Sequence, residues 1–402
     1  MKSIPEYIVT DPDGVKACCE DVAASLQVGF DTEFVGEETY VPQLCLVQVA
    51  TPNALYVLDP FDCGPLEEFW KLLADPARLV VVHAGREEVR ICFGAIGRPP
   101  ANLFDVQIAA GLIGLGYPLG YGPLVQSVLR KRLQKGETLT DWRRRPLSQE
   151  QLRYAFDDVR DLLAIWKRID AKLTKLDRST WAIDEFTSFV KRALQDGGEV
   201  ERWRKLKGVS NLDGQRLAIV REVYLWREEV AARRDRPART VLRDDLIVEI
   251  AKRNPKSSGD IATLRGLGRA DVHGIIEAVD KANRLPAADW PEEAERDNDP
   301  HAVALVSSLL NVVLADWCAR QELTMPLVAT TADVRRLVRC TANGECPTTD
   351  CGLANGWRKE HVLPVLLEVL EGRRALRVKS LEGEAPLEYG HVRRDSLNHP
   401  TT

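Results

Sequence analysis

Along the first half of this chain the apolar positions switch between two periods. Short Val- and Leu-rich runs at 28–34, 44–50, 55–58 and 79–83 predict strands. Segments with a helical apolar repeat at 13–26, 66–73, 87–93, 106–115, 124–132 and 149–172 predict helices. Ser148, followed three residues later by Gln151, offers a capping box for the last of these. Strands first and helices after describe an α/β unit over residues 1–185, a mixed sheet flanked by helices. From about Leu212 the strand pattern disappears. Helices predicted at 215–232, 244–252, 261–264 and 270–281, with a break at Pro237, form a bundle over 212–286. Residues 287–300, acidic and punctuated by Pro291 and Pro300, read as a linker. Patterns at 302–322, 331–339 and 361–370 predict a second helical bundle over 301–379. Residues 186–211 are left as a linker and 380–402 as a poorly ordered tail.

Two pairs of residues carry candidate chemistry. Asp31 and Glu33 close the first predicted strand, where positions i and i+2 share a face, so their carboxylates project side by side. Two like charges held that close are costly without a cation between them. Tyr154 and Asp158 are i and i+4 on the 149–172 helix and also share a face. Together the pairs could hold divalent metal ions and orient a water for phosphodiester cleavage. Separately, each motif is common on solvated surfaces; their order and the sequence between them join them.

That sequence contains Asp31-Thr32-Glu33-Phe34, Tyr40-Val41-Pro42-Gln43-Leu44-Cys45-Leu46-Val47-Gln48, His83-Ala84-Gly85 and Phe104-Asp105-Val106-Gln107. It continues with Thr140-Asp141-Trp142-Arg143-Arg144-Arg145-Pro146-Leu147-Ser148 and Tyr154-Ala155-Phe156-Asp157-Asp158-Val159. In this order the set resembles the ribonuclease D family of the DEDD exonuclease superfamily. The resemblance implies a ribonuclease-H-like fold, two divalent metal ions (Mg²⁺ or Mn²⁺) and removal of nucleotides from a free RNA 3′ end. It makes Asp31, Glu33 and Asp158 metal ligands, and Tyr154 the residue that orients the attacking water. The family's aspartate five residues after the histidine is replaced here by Glu88. Glu88 is carried over as the fourth ligand, but its extra methylene forces the carboxylate to fold back. A misplacement of roughly 1 Å can cost about 10²-fold in rate. Asp105 reads as supporting structure, and as the substitute ligand if Glu88 fails.

Further along, Leu225-Trp226-Arg227-Glu228, Pro237-Ala238-Arg239, Leu242-Arg243-Asp244 and Leu264-Arg265-Gly266-Leu267-Gly268 resemble the HRDC module. That resemblance implies nucleic-acid contact. Gly266-Leu267-Gly268 could offer backbone N–H groups to a phosphate, although a tight turn is the commoner use of such a run. Asn355-Gly356-Trp357-Arg358 resembles a late ribonuclease D element and suggests a second HRDC-like bundle. The expected architecture is therefore the α/β unit followed by one or two all-α HRDC-type bundles.

A net charge of −5 argues against bulk non-specific nucleic-acid binding. Locally, Arg130, Lys131, Arg132, Lys135, Arg143, Arg144 and Arg145 face only Glu137 and Asp141 within one segment. This segment precedes the Tyr154/Asp158 helix and could hold the phosphates of an incoming strand, or be an ordinary solvated loop. The residues taken as candidate contacts are Arg130, Lys131, Arg132, Arg143, Arg144 and Arg145. The nine cysteines look like small buried hydrophobes, and Cys340, Cys346, Cys351 and His361 lack the Cys-x-x-Cys spacing of structural zinc sites. Apolar runs fall short of a membrane span and the N-terminus lacks a signal-peptide core, so the expectation is a cytoplasmic monomer with no membrane partner. Precursors of tRNA and other small structured RNAs are the expected substrates. Two rivals remain: an RNA-binding scaffold that has lost its chemistry, motivated by Glu88, and a DNA exonuclease. Only RNA offers a 2′-OH to tell those nucleic acids apart.

Overall fold

In a computed structural model of the chain, residues 4–133, 140–195, 202–261, 269–293, 299–345, 351–383 and 385–392 are described. Six strands, β1 (Glu6–Val9), β2 (Gln27–Val35), β3 (Gln43–Ala50), β4 (Leu55–Leu58), β5 (Leu79–Val82) and β6 (Leu103–Asp105), form one sheet in the order β1-β4-β3-β2-β5-β6. β2 runs antiparallel to β3, and β3 to β4. β1, β5 and β6 run parallel to their neighbours β4, β2 and β5. This is the mixed sheet expected from the pattern.

Period-two alternation divides the strand side chains between two cores. Val80 and Val82 of β5 pack with Phe30, Val47 and Val49 against α1 (Pro12–Ala24), α2 (Glu67–Leu73) and α3 (Arg86–Ile96). Val81 points the other way with Phe104, towards α4 (Val106–Leu112), α5 (Tyr121–Leu129), α6 (Gln149–Arg160), α7 (Leu162–Lys175) and α8 (Ser179–Gln195). β5 pairs only with Gln27–Gly29 of β2, so beyond Gly29 β2 is hydrogen-bonded to β3 alone among the described strands. That half of β2 carries Asp31 and Glu33.

Helices α9 (Gly214–Arg234), α10 (Ala238–Val241), α11 (Asp244–Arg253), α12 (Ser258–Ile261) and α13 (Arg269–Asn283) enclose a core of their own, including Leu217, Val220, Ile247, Ile250 and Val279. Gly266-Leu267-Gly268 lies outside the described residues. The last helices are α14 (His301–Arg320), α15 (Met325–Val328), α16 (Thr331–Ala342), α17 (Gly356–His361) and α18 (Leu363–Leu370). Their Leu310, Leu327, Leu337, Trp357 and Leu366 join the same core as Leu112, Ile169 and Phe186 of the α/β unit. Residues 301–370 therefore pack as a continuation of the first unit. By length and composition α14 could cross a membrane, which the sequence pattern hides because Ser307, Ser308 and Asn311 interrupt it. Here its Val303, Leu310, Val313 and Leu314 are buried, and its neighbours include α16 and α18.

Other departures concern short or tertiary-stabilised elements. The pattern misses β1 and β6, four and three residues long, which form the two edges of the sheet. The single helix expected at 149–172 is two, divided at Asp161. Residues 186–195, expected as linker, complete α8, and nearby Trp203 is fully buried in the α9–α13 core. The tail expected from 380 instead contains β8 (Leu387–His391), paired antiparallel with β7 (Arg374–Val378). Buried Asp316 of α14 holds it, accepting from Leu387 N at 3.1 Å and Tyr389 Oη at 2.9 Å.

Candidate active site

Three elements bring the candidate carboxylates together. β2 supplies Asp31 and Glu33, with a register shift immediately after Glu33. Such irregularities bend a strand and re-aim its side chains. α6 supplies Tyr154 and Asp158. Its N-terminus is fixed by the expected capping box: Gln151 N donates to Ser148 Oγ at 3.1 Å and Ser148 N to Gln151 Oε1 at 2.8 Å. The turn from β5 into α3 supplies Glu88. A Cβ on Gly85 would stand 2.4 Å from a Val82 methyl, so only glycine fits there, and Ala84 is held at φ +56°.

Asp105 explains how that turn is held. Its carboxylate accepts from Ala84 N (3.2 Å), Gly85 N (3.0 Å), Gln107 N (2.8 Å) and Ile108 N (3.3 Å). Fully buried, it caps α4 and clamps the start of α3 at once. This is the supporting role expected from the sequence. Glu88 is buried, and its Oε1 accepts from Thr32 Oγ1 at 2.7 Å.

The carboxylates raise one another's pKa. Burial, then Glu88, Asp158 and Glu33, push Asp31 well above the usual carboxylate range. Glu33 is pushed up to about 8 by burial, then by Asp158 and Glu88. Burial raises Asp158 to about 7, with Asp157 adding to the effect and the Tyr154 hydrogen bond opposing it. Glu88 is raised by burial against the pull of the Thr32 bond. The Tyr154 phenol, raised by burial and then by Asp158, stays protonated at neutral pH.

An all-oxygen, multiply acidic donor set of this kind suits a hard divalent cation, whose charge would remove the repulsion. Among the described residues, no three His, Cys, Asp or Glu side chains are drawn in far enough to hold an ion as they stand. Glu88 is bonded to Thr32 instead. Cys346 of the rejected zinc set lies outside the described residues.

Gln48 escapes a reading by motif alone. It pairs directly across from Asp31 and so shares its face of the sheet. It is fully buried, and neither side-chain amide atom has a hydrogen-bond partner among the described protein groups. A glutamine inside the apolar run 44–50 was the available signal.

The basic residues divide. Arg145 donates to Asp59 Oδ1 (2.8 Å), Cys45 O (3.1 Å) and Trp142 O (2.7 Å) and lies over the Phe61 ring, so it fastens its segment to the sheet. Arg143 pairs with Asp141 and Glu38, and Lys131 with Asp161. Arg130, Arg132 and Arg144 are exposed. Lys135 and Glu137 lie outside the described residues.

The substitution at position 88 has a direct test. Glu88→Asp is expected to preserve or raise the rate of RNA cleavage, and Glu88→Gln to lower it by roughly 10-fold or more, in line with the cost of misplacing a catalytic group. Asp105→Asn should instead lower the melting temperature by loosening the β5–α3 turn. An inactive, fully stable Asp105→Asn beside a neutral Glu88→Gln would reverse the two roles.

Comparison with known proteins identifies the family. Residues 7–174 match the family model described as 3′-5′ exonuclease, and residues 216–277 match the HRDC domain. Ribonuclease D of Acidiphilium cryptum is 32% identical over 94% of this chain and 94% of its own length. Ribonuclease D of Jannaschia sp. is 33% identical over 93% and 97%. The crystal structure of Escherichia coli RNase D superposes with a TM-score of 0.80 at 26% identity, covering 92% of this chain and 99% of the other. With a carboxylate cluster on the expected strand and helices, and relatives matched along nearly their whole length, the chain belongs to the ribonuclease D family of hydrolytic 3′-5′ exoribonucleases.

Proposed function

We propose that Asp31, Glu33, Glu88 and Asp158 hold two divalent ions, Mg²⁺ or Mn²⁺, and that the enzyme trims the free 3′ ends of tRNA precursors and other small structured RNAs. The observation that carries the site assignment is the gathering of four carboxylates, each in an environment that disfavours its charge. Bound ions would polarise the phosphodiester and lower the pKa of a water. Glu88 would turn from Thr32 to complete the set. Tyr154, protonated and hydrogen-bonded to Asp158, would orient the attacking water. Exposed Arg130 and Arg132 would contact phosphates, as would Arg144, whose 3.7 Å pair with Asp141 leaves it exposed, whereas Lys131, Arg143 and Arg145 make closer pairs with acidic partners within the protein. The E. coli relative is described as an exoribonuclease involved in structured RNA processing, which supports the substrate class. The reading is of a monomer acting in the cytoplasm, where thiols stay reduced.

The purified protein with Mg²⁺ or Mn²⁺ should shorten a 5′-labelled single-stranded RNA stepwise from its 3′ end, and EDTA should stop it. Internal cuts, or undiminished cleavage in EDTA, would exclude the proposed chemistry. Equal rates on a matched DNA oligomer would widen the substrate class.

A further inference from the structure

The loop joining β2 to β3, residues 36–42, forms one wall beside Glu33. A cleft of about 470 Å³ lies between Glu33, Phe34, Val35, Gly36 and Glu37 on one side and Thr140–Arg143 on the other. Both walls are held from outside. Tyr40 N donates to Asp235 Oδ1 at 3.1 Å, and Tyr40 Oη donates to Glu228 Oε2 at 3.3 Å. The Tyr40 ring packs against Val230, Ala231 and Val241 of the HRDC bundle. Two residues before it, Glu38 is gripped by the Arg143 guanidinium, whose Nε also donates to Asp141 Oδ1 at 2.8 Å. Thr140 Oγ1 accepts from Gln151 Nε2 at 2.9 Å, and Gln151 is the capping residue of the helix carrying Tyr154 and Asp158. A continuous set of contacts thus runs from α9 through Tyr40 and Arg143 to both acidic elements.

We propose that Tyr40 is a positioning residue for catalysis: the HRDC bundle, by gripping it, fixes the 36–42 wall and with it the placement of the RNA strand against Glu33. This role differs from direct RNA contact by the bundle. A contact would affect KM on long RNA that reaches the bundle. A positioning grip affects kcat on every substrate, including an oligomer too short to leave the catalytic cleft, because reacting groups misplaced by roughly 1 Å can lose about 10²-fold in rate. The energetic case rests on the mixed character of the latch. Its half-buried ring packs against apolar residues, and the bonds from its N–H and Oη both end on carboxylates, which makes them charge-assisted.

The inference rests on the carboxylate assignment made above, so its test includes a readout independent of activity. In the full-length protein, Tyr40→Ala is expected to lower kcat on a short single-stranded RNA by about tenfold or more, with KM changed much less. Tyr40→Phe, which keeps the ring and the backbone bond to Asp235, should recover most of the rate. Asp235→Gly removes the acceptor from the other side without straining a residue held at φ +46°, and should move kcat in the same direction. Tyr40→Ala leaves the backbone bond to Asp235 in place, so the double variant Tyr40→Ala/Asp235→Gly, which removes both halves of the grip, should be slower than either single variant. Amide exchange across 36–42 should quicken in Asp235→Gly, with or without metal. Wild-type kcat in a folded Tyr40→Ala protein, or a change confined to KM on long RNA, would overturn the proposal. If Tyr40→Ala fails to fold, Asp235→Gly with unchanged exchange and unchanged kcat overturns it equally. Faster exchange and normal rates in Asp235→Gly would also refute it, by showing that loop order does not govern catalysis.

Discussion

Asp31→Asn is expected to reduce RNA cleavage by about 10³-fold or more while leaving the protein folded, because a metal ion's stabilisation of the transition state amounts to several kcal/mol and each 1.36 kcal/mol is a factor of ten. Asp158→Asn should behave alike. A variant of either kind that retains near-normal activity would remove the site assignment. The same substitution should have the opposite effect on metal-free stability. In the unfolded chain these acids titrate near 4, whereas in the folded protein Asp158 is raised to about 7 and Glu33 to about 8. Between those limits the folded state binds more protons than the unfolded state. The stabilisation is therefore complete below about 4 and is lost as pH rises through about 7 to 8. Without metal, melting temperature should fall from pH 6 to pH 8.5, an interval chosen to span roughly that range. Asp31→Asn should flatten the fall, as should millimolar Mg²⁺ in the wild type. A metal-free profile that rises over that interval would show that the cluster is not charge-strained.

A chain ending at Gln195 is expected to lose its cooperative fold, although all the candidate catalytic carboxylates lie before that point. Read from the sequence, the first unit should work alone and should still cleave a short oligomer. The structure argues otherwise. Leu310, Leu327, Leu337, Trp357 and Leu366 share a core with Leu112, Ile169 and Phe186, so truncation strips partners from a continuous interior. Polar contacts cross the same boundary. Buried Arg178 donates to Leu112 O at 2.7 Å and Glu322 O at 3.2 Å. Glu185, also buried, accepts from Trp357 Nε1 at 2.8 Å and pairs with Arg358. Removing the later helices would leave that carboxylate without these two donors. Each large apolar side chain deprived of burial costs about 1.5–3 kcal/mol, so several together rival the roughly 5–15 kcal/mol that stabilises an ordinary domain. The truncated protein should show no sharp thermal transition and little soluble yield. A cooperative melt within a few degrees of the full-length protein would show that the shared core contributes little. A deletion of 202–293, which removes the separate α9–α13 core together with Trp203 and Val209, should be tolerated far better.

The sequence determined what depends on near neighbours along the chain. Period two placed Asp31 and Glu33 on one face of β2, and helical spacing placed Tyr154 and Asp158 on one face of α6. Ser148 and Gln151 set the start of α6, because a capping box is complete within four residues. The glutamate at position 88 was legible as a departure from the family pattern. Which atoms it meets was not: its partner Thr32 is 56 residues away. The same is true of Arg145, whose charge suits a phosphate contact and whose partner, Asp59, lies 86 residues earlier. Charge is a property of the residue, but availability of that charge depends on what the fold packs against it. Tyr40 gave no sign of a role beyond the motif it belongs to, since its partners lie in another bundle. Domain independence is hidden from the sequence for a related reason. Amphipathic periodicity shows that a helix has a face to bury, as in α14 and α16, and says nothing of whether its own neighbours or a distant domain will cover it. Only the tertiary structure decided that, because burial is non-directional and any complementary apolar surface can satisfy it.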